Sequence, residues 1–207
     1  MTQAEQHTGL EAEIRAHCEA GDQQRAATLL LEGYGRELLG FLIARLRDRD
    51  AAAEVFSAFT EDLWRGLPSF AWRCSARVWA YTLARHAASH YLRRAHRRRE
   101  RQLGSSALEA IEQRIRTDTL ASARSEAKSQ IVRLREQLPE PDQTLLILRI
   151  NRQLAWNEIA QVMLHDGEVA DVASLERDAA RLRQRYQKAK TRLRELAIEA
   201  GLVPSKA

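Results

Sequence analysis

The chain has 207 residues, 44% of them hydrophobic, with 9 Gly, 4 Pro and a formal net charge of +5. That length is enough to bury a core in one or two domains. An alphabet dominated by Ala, Leu, Arg, Glu and Gln favours helices over sheet, and no apolar run approaches the ~20 residues of a membrane span. The N-terminus, MTQAEQHTGLEAEIRAHCEAGD, is polar and acidic, so it does not read as a signal peptide. Cys18 and Cys74 are far apart and in no metal-like spacing, and are expected as reduced thiols in a cytoplasmic chain.

In chain order, residues 10–20 predict a short helix stopped at Gly21-Asp22. A longer helix over 24–47 places Ala27, Leu31, Tyr34, Leu38 and Leu42 on one face. A third, over about 51–65, sets Ala52, Phe56, Phe59 and Leu63 at helical spacing before Gly66-Leu67-Pro68-Ser69 breaks it. A loop over 69–76 then leads into a helix over about 77–99. One stripe of that helix, Val78, Tyr81, Ala84, Ala88 and Tyr91, is spaced to face a core. A second stripe runs from Trp79 and Leu83 through His86 and His90 to Arg93 and Arg97, grading from aromatic to basic.

Residues 102–106, QLGSS, are the most linker-like point, and 107–125 is polar and weakly amphipathic. Helical pattern resumes over 126–138. Pro139 and Pro141 punctuate a turn, LLILRI (145–150) continues the next helix, and AWNEIAQVML (155–164) forms a short one with Trp156, Ile159, Ala160 and Met163 inward. After an acidic connection comes a long helix over about 174–200. Its inward stripe is Leu175, Ala179, Leu182, Tyr186, Ala189, Leu193 and Leu196; a coiled-coil seam is the alternative, poorly served by Ala and Tyr. The opposite face carries Arg177, Arg181, Gln184, Gln187, Lys188 and Thr191, a composition suited to base edges and phosphates in a major groove.

The charge is concentrated. Residues 71–102 hold nine Arg against Glu100, and residues 175–196 hold eight Lys or Arg against three acids. Two basic islands on an otherwise acidic chain point to two contacts with a polyanion. In the first island the rings Trp72, Trp79, Tyr81 and Tyr91 lie among the arginines, the mixture that single-stranded nucleic acid calls for. Trp72 can serve there as a base-stacking platform or as a hydrophobic anchor.

The order of these segments resembles the extracytoplasmic-function sigma factors, small two-domain members of the bacterial sigma factor family. FAWRCSARVWAYTLARHAASHYLRR (70–94) is similar to the family's promoter-melting and minus-ten-reading helix. LREQLPEPDQTLLILRINRQLAWNEIA (134–160) is similar to the start of its second domain, and LRQRYQKAKTRLREL (182–196) to the recognition helix that reads the minus-thirty-five element. The resemblance implies an all-α chain of two small domains, 1–101 and 126–207, joined by a linker over 102–125, the second being a helix-turn-helix domain. It implies core RNA polymerase and promoter DNA as partners, an anti-sigma factor as a further candidate partner, and a cytoplasmic location without membrane insertion.

The DNA-contacting candidates are then Trp72, Arg73, Arg77, Trp79, Arg85, His86, Arg93, Arg94 and Arg97 in the first domain, with Arg177, Arg181, Gln184, Gln187 and Lys188 in the second. Two departures stand out. The family's acidic-Gln signature for docking on polymerase is replaced by AAAEVFSAFTEDLWRGL, in which Glu54, Glu61 and Asp62 are the candidates for that contact. The turn before the recognition helix is the long, acidic HDGEVADVASLERDAA. His86 and His90 have a metal pair's spacing but no further ligand at a suitable distance in sequence. No nucleophile–base set, phosphate-binding glycine loop or carboxylate cluster is present, so no catalytic residue, metal or cofactor is expected. Two other classes compete: a stand-alone helix-turn-helix regulator, and a nucleic-acid-processing enzyme.

Overall fold

The computed structural model describes residues 3–102, 126–164 and 171–204, with side chains over 7–95, 130–164 and 171–204. The expected linker, from residue 103 onward, and the acidic connection over 165–170 lie outside the described residues, as does the side chain of Arg97. The described residues are all-α. Eight helices run as α1 (Gln3–Glu19), α2 (Gln23–Leu46), α3 (Arg49–Gly66), α4 (Ala76–Gln102), α5 (Glu126–Glu136), α6 (Glu140–Leu146), α7 (Trp156–Met163) and α8 (Val172–Glu199). A 3₁₀ turn (Leu67–Ser69) follows α3, and a π turn (Ile147–Asn151) extends α6.

Helix ends are set by short polar side chains. Gly21, at φ +78°, ends α1 in the left-handed conformation that glycine adopts without penalty. The next residue, Asp22, caps α2 by accepting from Arg25 N at 3.0 Å. At the far end of α2 the left-handed position falls on Arg47, at φ +62°. Its guanidinium pairs with Glu136 at 2.7 Å and bonds Gln143, and these contacts offset the strain. Asp48 then caps α3 through Asp50 N and Ala51 N. Helix α4 is capped from outside itself: Glu11 of α1 accepts from Ala76 N at 2.7 Å and from Arg77 N at 2.9 Å. Asp171 caps α8 through Ser174 N, and the same bonds hold its carboxyl below the usual range.

The core of the first half lies among α1 to α4. Tyr34, Leu38, Phe41, Leu42, Phe59, Leu63, Val78, Tyr81, Ala84 and Ala88 are buried, and Phe41 meets Tyr81 edge-on at 5.5 Å. Leu31 and Tyr91, expected in the same stripes, are half-buried at the margin. The second half has a small core of its own, in which Leu134, Leu138 and Leu146 meet Ala189, Leu196 and Ala197.

The two halves are packed against each other. Ile147, Leu148, Leu154, Ile159 and Val162 join the core built by α2 and α4. Arginines line this seam: Arg45 pairs with Glu140, Arg47 with Glu136, Arg135 donates to Ala44 O at 3.0 Å, and Arg85 donates to Leu164 O. Gly40 on α2 admits the Arg152 guanidinium, which a Cβ there would meet at 2.5 Å. At this approach a glycine is required.

Candidate nucleic-acid interface

The loop before α4 is built on rings. Phe70 lies 4.8 Å from Trp72 and stacks on Trp79 at 4.5 Å, and Trp79 in turn packs beside Gly66. Trp72 has φ +55°, rare for so bulky a residue. Its ring is half-buried, and the Arg15 guanidinium of α1 stands over it at 5.5 Å. Anchor and platform are therefore combined: one part of the ring is packed and the rest remains accessible.

The candidate cations fall into three groups. Arg73, Arg93 and Arg94 are exposed, as are Arg177, Arg181, Gln184, Gln187 and Lys188 on α8. Arg181 pairs with Asp178 at 3.0 Å. Arg77 is turned inward instead, 12% exposed and bidentate on Glu37 at 2.7 and 3.0 Å, and this pairing outweighs burial to hold its pKa above the usual range. Arg85 and His86 are half-buried at the seam.

The fold brings the two basic islands together. Arg85, His86 and Arg93 of α4 and Arg181 and Arg185 of α8 line one cleft of about 830 Å³. Trp72 and Arg73 lie at the other end of α4, roughly 25 Å from Arg93 at 1.5 Å per residue. Gln184, Gln187 and Lys188 share the helix of Arg181 but do not line the cleft.

The acidic candidates Glu54, Glu61 and Asp62 are exposed on α3. Arg65 pairs with Glu61 at 3.0 Å and approaches Asp62 at 3.8 Å. Asp62 also borders a shallower hollow shared with His90, Arg93 and Arg94. Beside them stands Trp64, 51% exposed, which sequence reading passed over. Its signal was available: Trp64 follows Leu63 directly and so falls off the buried stripe.

Three further residues escaped notice. Arg45 continues the buried Leu38–Phe41–Leu42 stripe, an arginine at a core position, and that placement was its signal. Glu11 and Arg15, which brace the ring-bearing loop, gave none, because their partners are more than 50 residues away. The thiols are shielded: burial pushes Cys74 up to about 11, helped by the Glu11 carboxylate, and burial also raises Cys18. Among the described residues no group of three or more His, Cys, Asp or Glu is arranged to hold a metal ion. None of the described helices is long and apolar enough to cross a membrane.

Residues 30–98, one third of the chain, match the family model of sigma-70 region 2. No curated protein matches the chain significantly. The matched segment begins inside α2 and ends inside α4, and it spans the exposed acids of α3, the ring-bearing loop and the basic end of α4. Sigma-70 factors act in transcription initiation with core RNA polymerase and promoter DNA as partners, and they are not themselves enzymes. The match supports an RNA polymerase sigma factor of the sigma-70 family, with region 2 carried by α2 to α4.

Proposed function

We propose that the chain is an extracytoplasmic-function sigma factor that brings core RNA polymerase to a promoter and helps open the DNA in the cytoplasm. Residues 1–101 form the polymerase-docking and minus-ten domain, and 126–207 the minus-thirty-five domain, joined through 102–125. The acids of α3, with Trp64 beside them, dock on polymerase. Trp72 and the arginines around α4 hold the displaced strand, cations on phosphate and ring on base. Helices α7 and α8 form the helix-turn-helix, with Arg177, Arg181, Gln184, Gln187 and Lys188 toward the upstream element.

The observation that carries this reading is the region 2 match over a segment whose exposed side chains are acidic on α3 and basic and aromatic around α4. The separate small core of the second half supports the domain division. Affinity capture of the tagged chain tests it: core polymerase subunits should co-purify in stoichiometric amount. A chain that captures duplex DNA and no polymerase is a stand-alone regulator, and the proposal fails.

A further inference from the structure

The cleft between α4 and α8 has features that transcription does not require. Five guanidiniums line it, from Arg45, Arg85, Arg93, Arg181 and Arg185, against the two carboxylates Glu140 and Asp178, an excess of three positive charges. Two of its polar groups are buried without a hydrogen-bond partner among the described residues. Thr144 is 1% exposed and its Oγ1 is unpartnered. The Arg45 side chain is 3% exposed and, although its terminal nitrogen pairs with Glu140, its Nε donates to nothing. Such groups each carry an uncompensated desolvation cost. Burial, with Arg47, Arg85 and Arg135 nearby, pushes the Arg45 guanidinium toward its neutral form, so the cluster is self-repelling as it stands. The remaining lining includes Leu92, Met163 and Leu182, an apolar wall beside the cations.

An anion relieves the repulsion and supplies acceptors, and planar guanidinium forks match phosphate oxygens. The volume falls within the ~300–1,000 Å³ of small-ligand sites, and a cleft of that size excludes a duplex. We propose that this cleft binds a small molecule bearing a polyphosphate chain, of the nucleoside triphosphate class, with its phosphates on the arginines and its ring on the apolar wall. The site does not depend on the transcription role, and a chain that fails to capture polymerase still gives a result in the test below.

Isothermal titration of the full chain at about 0.15 M salt with magnesium-free ATP, inorganic triphosphate and adenosine tests the site. ATP should bind saturably, one per chain, and adenosine should not. Inorganic triphosphate binding as tightly as ATP identifies the phosphate chain as the whole ligand; weaker binding assigns the ring to the apolar wall. Either result upholds the site. Replacing Arg181 and Arg185 together by alanine should weaken ATP by about tenfold or more. Thr144→Val should weaken it several-fold while the unliganded melting temperature holds or rises, because an unpaired buried hydroxyl is removed. Arg194→Ala, exposed on α8 and outside the cleft, should leave affinity unchanged. The site is overturned if neither ATP nor triphosphate gives saturable heat, if Thr144→Val binds as wild type, or if Arg194→Ala weakens binding as much as the double variant.

Discussion

Glu11 shows how one carboxylate can organise a functional loop. It accepts from two amides at the start of α4 and from the Tyr34 hydroxyl at 2.9 Å, and so ties α1 to the turn that carries Trp72 and Arg73. Glu11→Ala leaves those donors without their acceptor and should cost about 1–3 kcal/mol, read as a lower urea midpoint with unchanged slope. Trp72 poses the opposite case, a residue whose backbone costs energy. At φ +55° a glycine is more comfortable than any side chain, so Trp72→Gly should be more stable than Trp72→Ala by roughly 1 kcal/mol. If the ring stacks on an unpaired base, both variants should keep closed-complex binding and lose strand opening to the same degree, in line with ~1–3 kcal/mol of stacking. Permanganate reactivity of thymines near the start site measures this on matched and pre-melted templates, and the pre-melted template should rescue both. Normal opening by either variant would make the ring a packing residue only.

At the scale of elements, α8 is the clearest case for mutation by face. Arg181 and Gln184 are exposed and early enough in the helix to reach base edges, whereas Lys188 is placed for phosphate. Arg181→Ala or Gln184→Ala should cost ~1–3 kcal/mol of discrimination at one or two upstream base pairs, while Lys188→Ala should weaken every sequence evenly. Binding to a panel of single-base promoter variants separates these outcomes, and an even loss for all three contradicts the face assignment. The helices themselves were legible from their stripes: Ala27, Tyr34, Leu38 and Leu42 on α2 and Val78, Tyr81, Ala84 and Ala88 on α4 are buried as their spacing predicts. On α7 the expected inward residues Trp156 and Met163 are half-buried, and Val162 is buried instead. That helix packs between α4 and α8, so its buried arc is wider than one stripe. The π turn after α6, and the left-handed Arg47 and Gln153, have no local signal, because each is held by tertiary contacts that override propensity. The site was half legible. The basic islands and rings announced their chemistry, but the inward turn of Arg77 onto Glu37 depends on a partner 40 residues away.

At the scale of the molecule, the seam bears on how the two halves work. Minus-ten and minus-thirty-five elements lie about 25 base pairs apart, roughly 85 Å at 3.4 Å per pair. With Arg93 and Arg181 lining one cleft, the packed arrangement is too short to serve both elements, so the seam must open when the chain acts on a promoter. The latches Arg45–Glu140 and Arg47–Glu136 are ion pairs at a partly solvated seam, strong enough to hold the halves together and weak enough to exchange for a partner's surface. Core polymerase is the partner that the account requires to drive this exchange, because DNA alone meets a chain whose two readers face each other. The most direct measurement is promoter binding by the full chain with and without core polymerase, at fixed salt. The account predicts weak binding alone, little different between promoter and unrelated duplex, and tight, promoter-specific binding once core polymerase is added. Tight, sequence-specific binding by the chain alone, unchanged by polymerase, would contradict it.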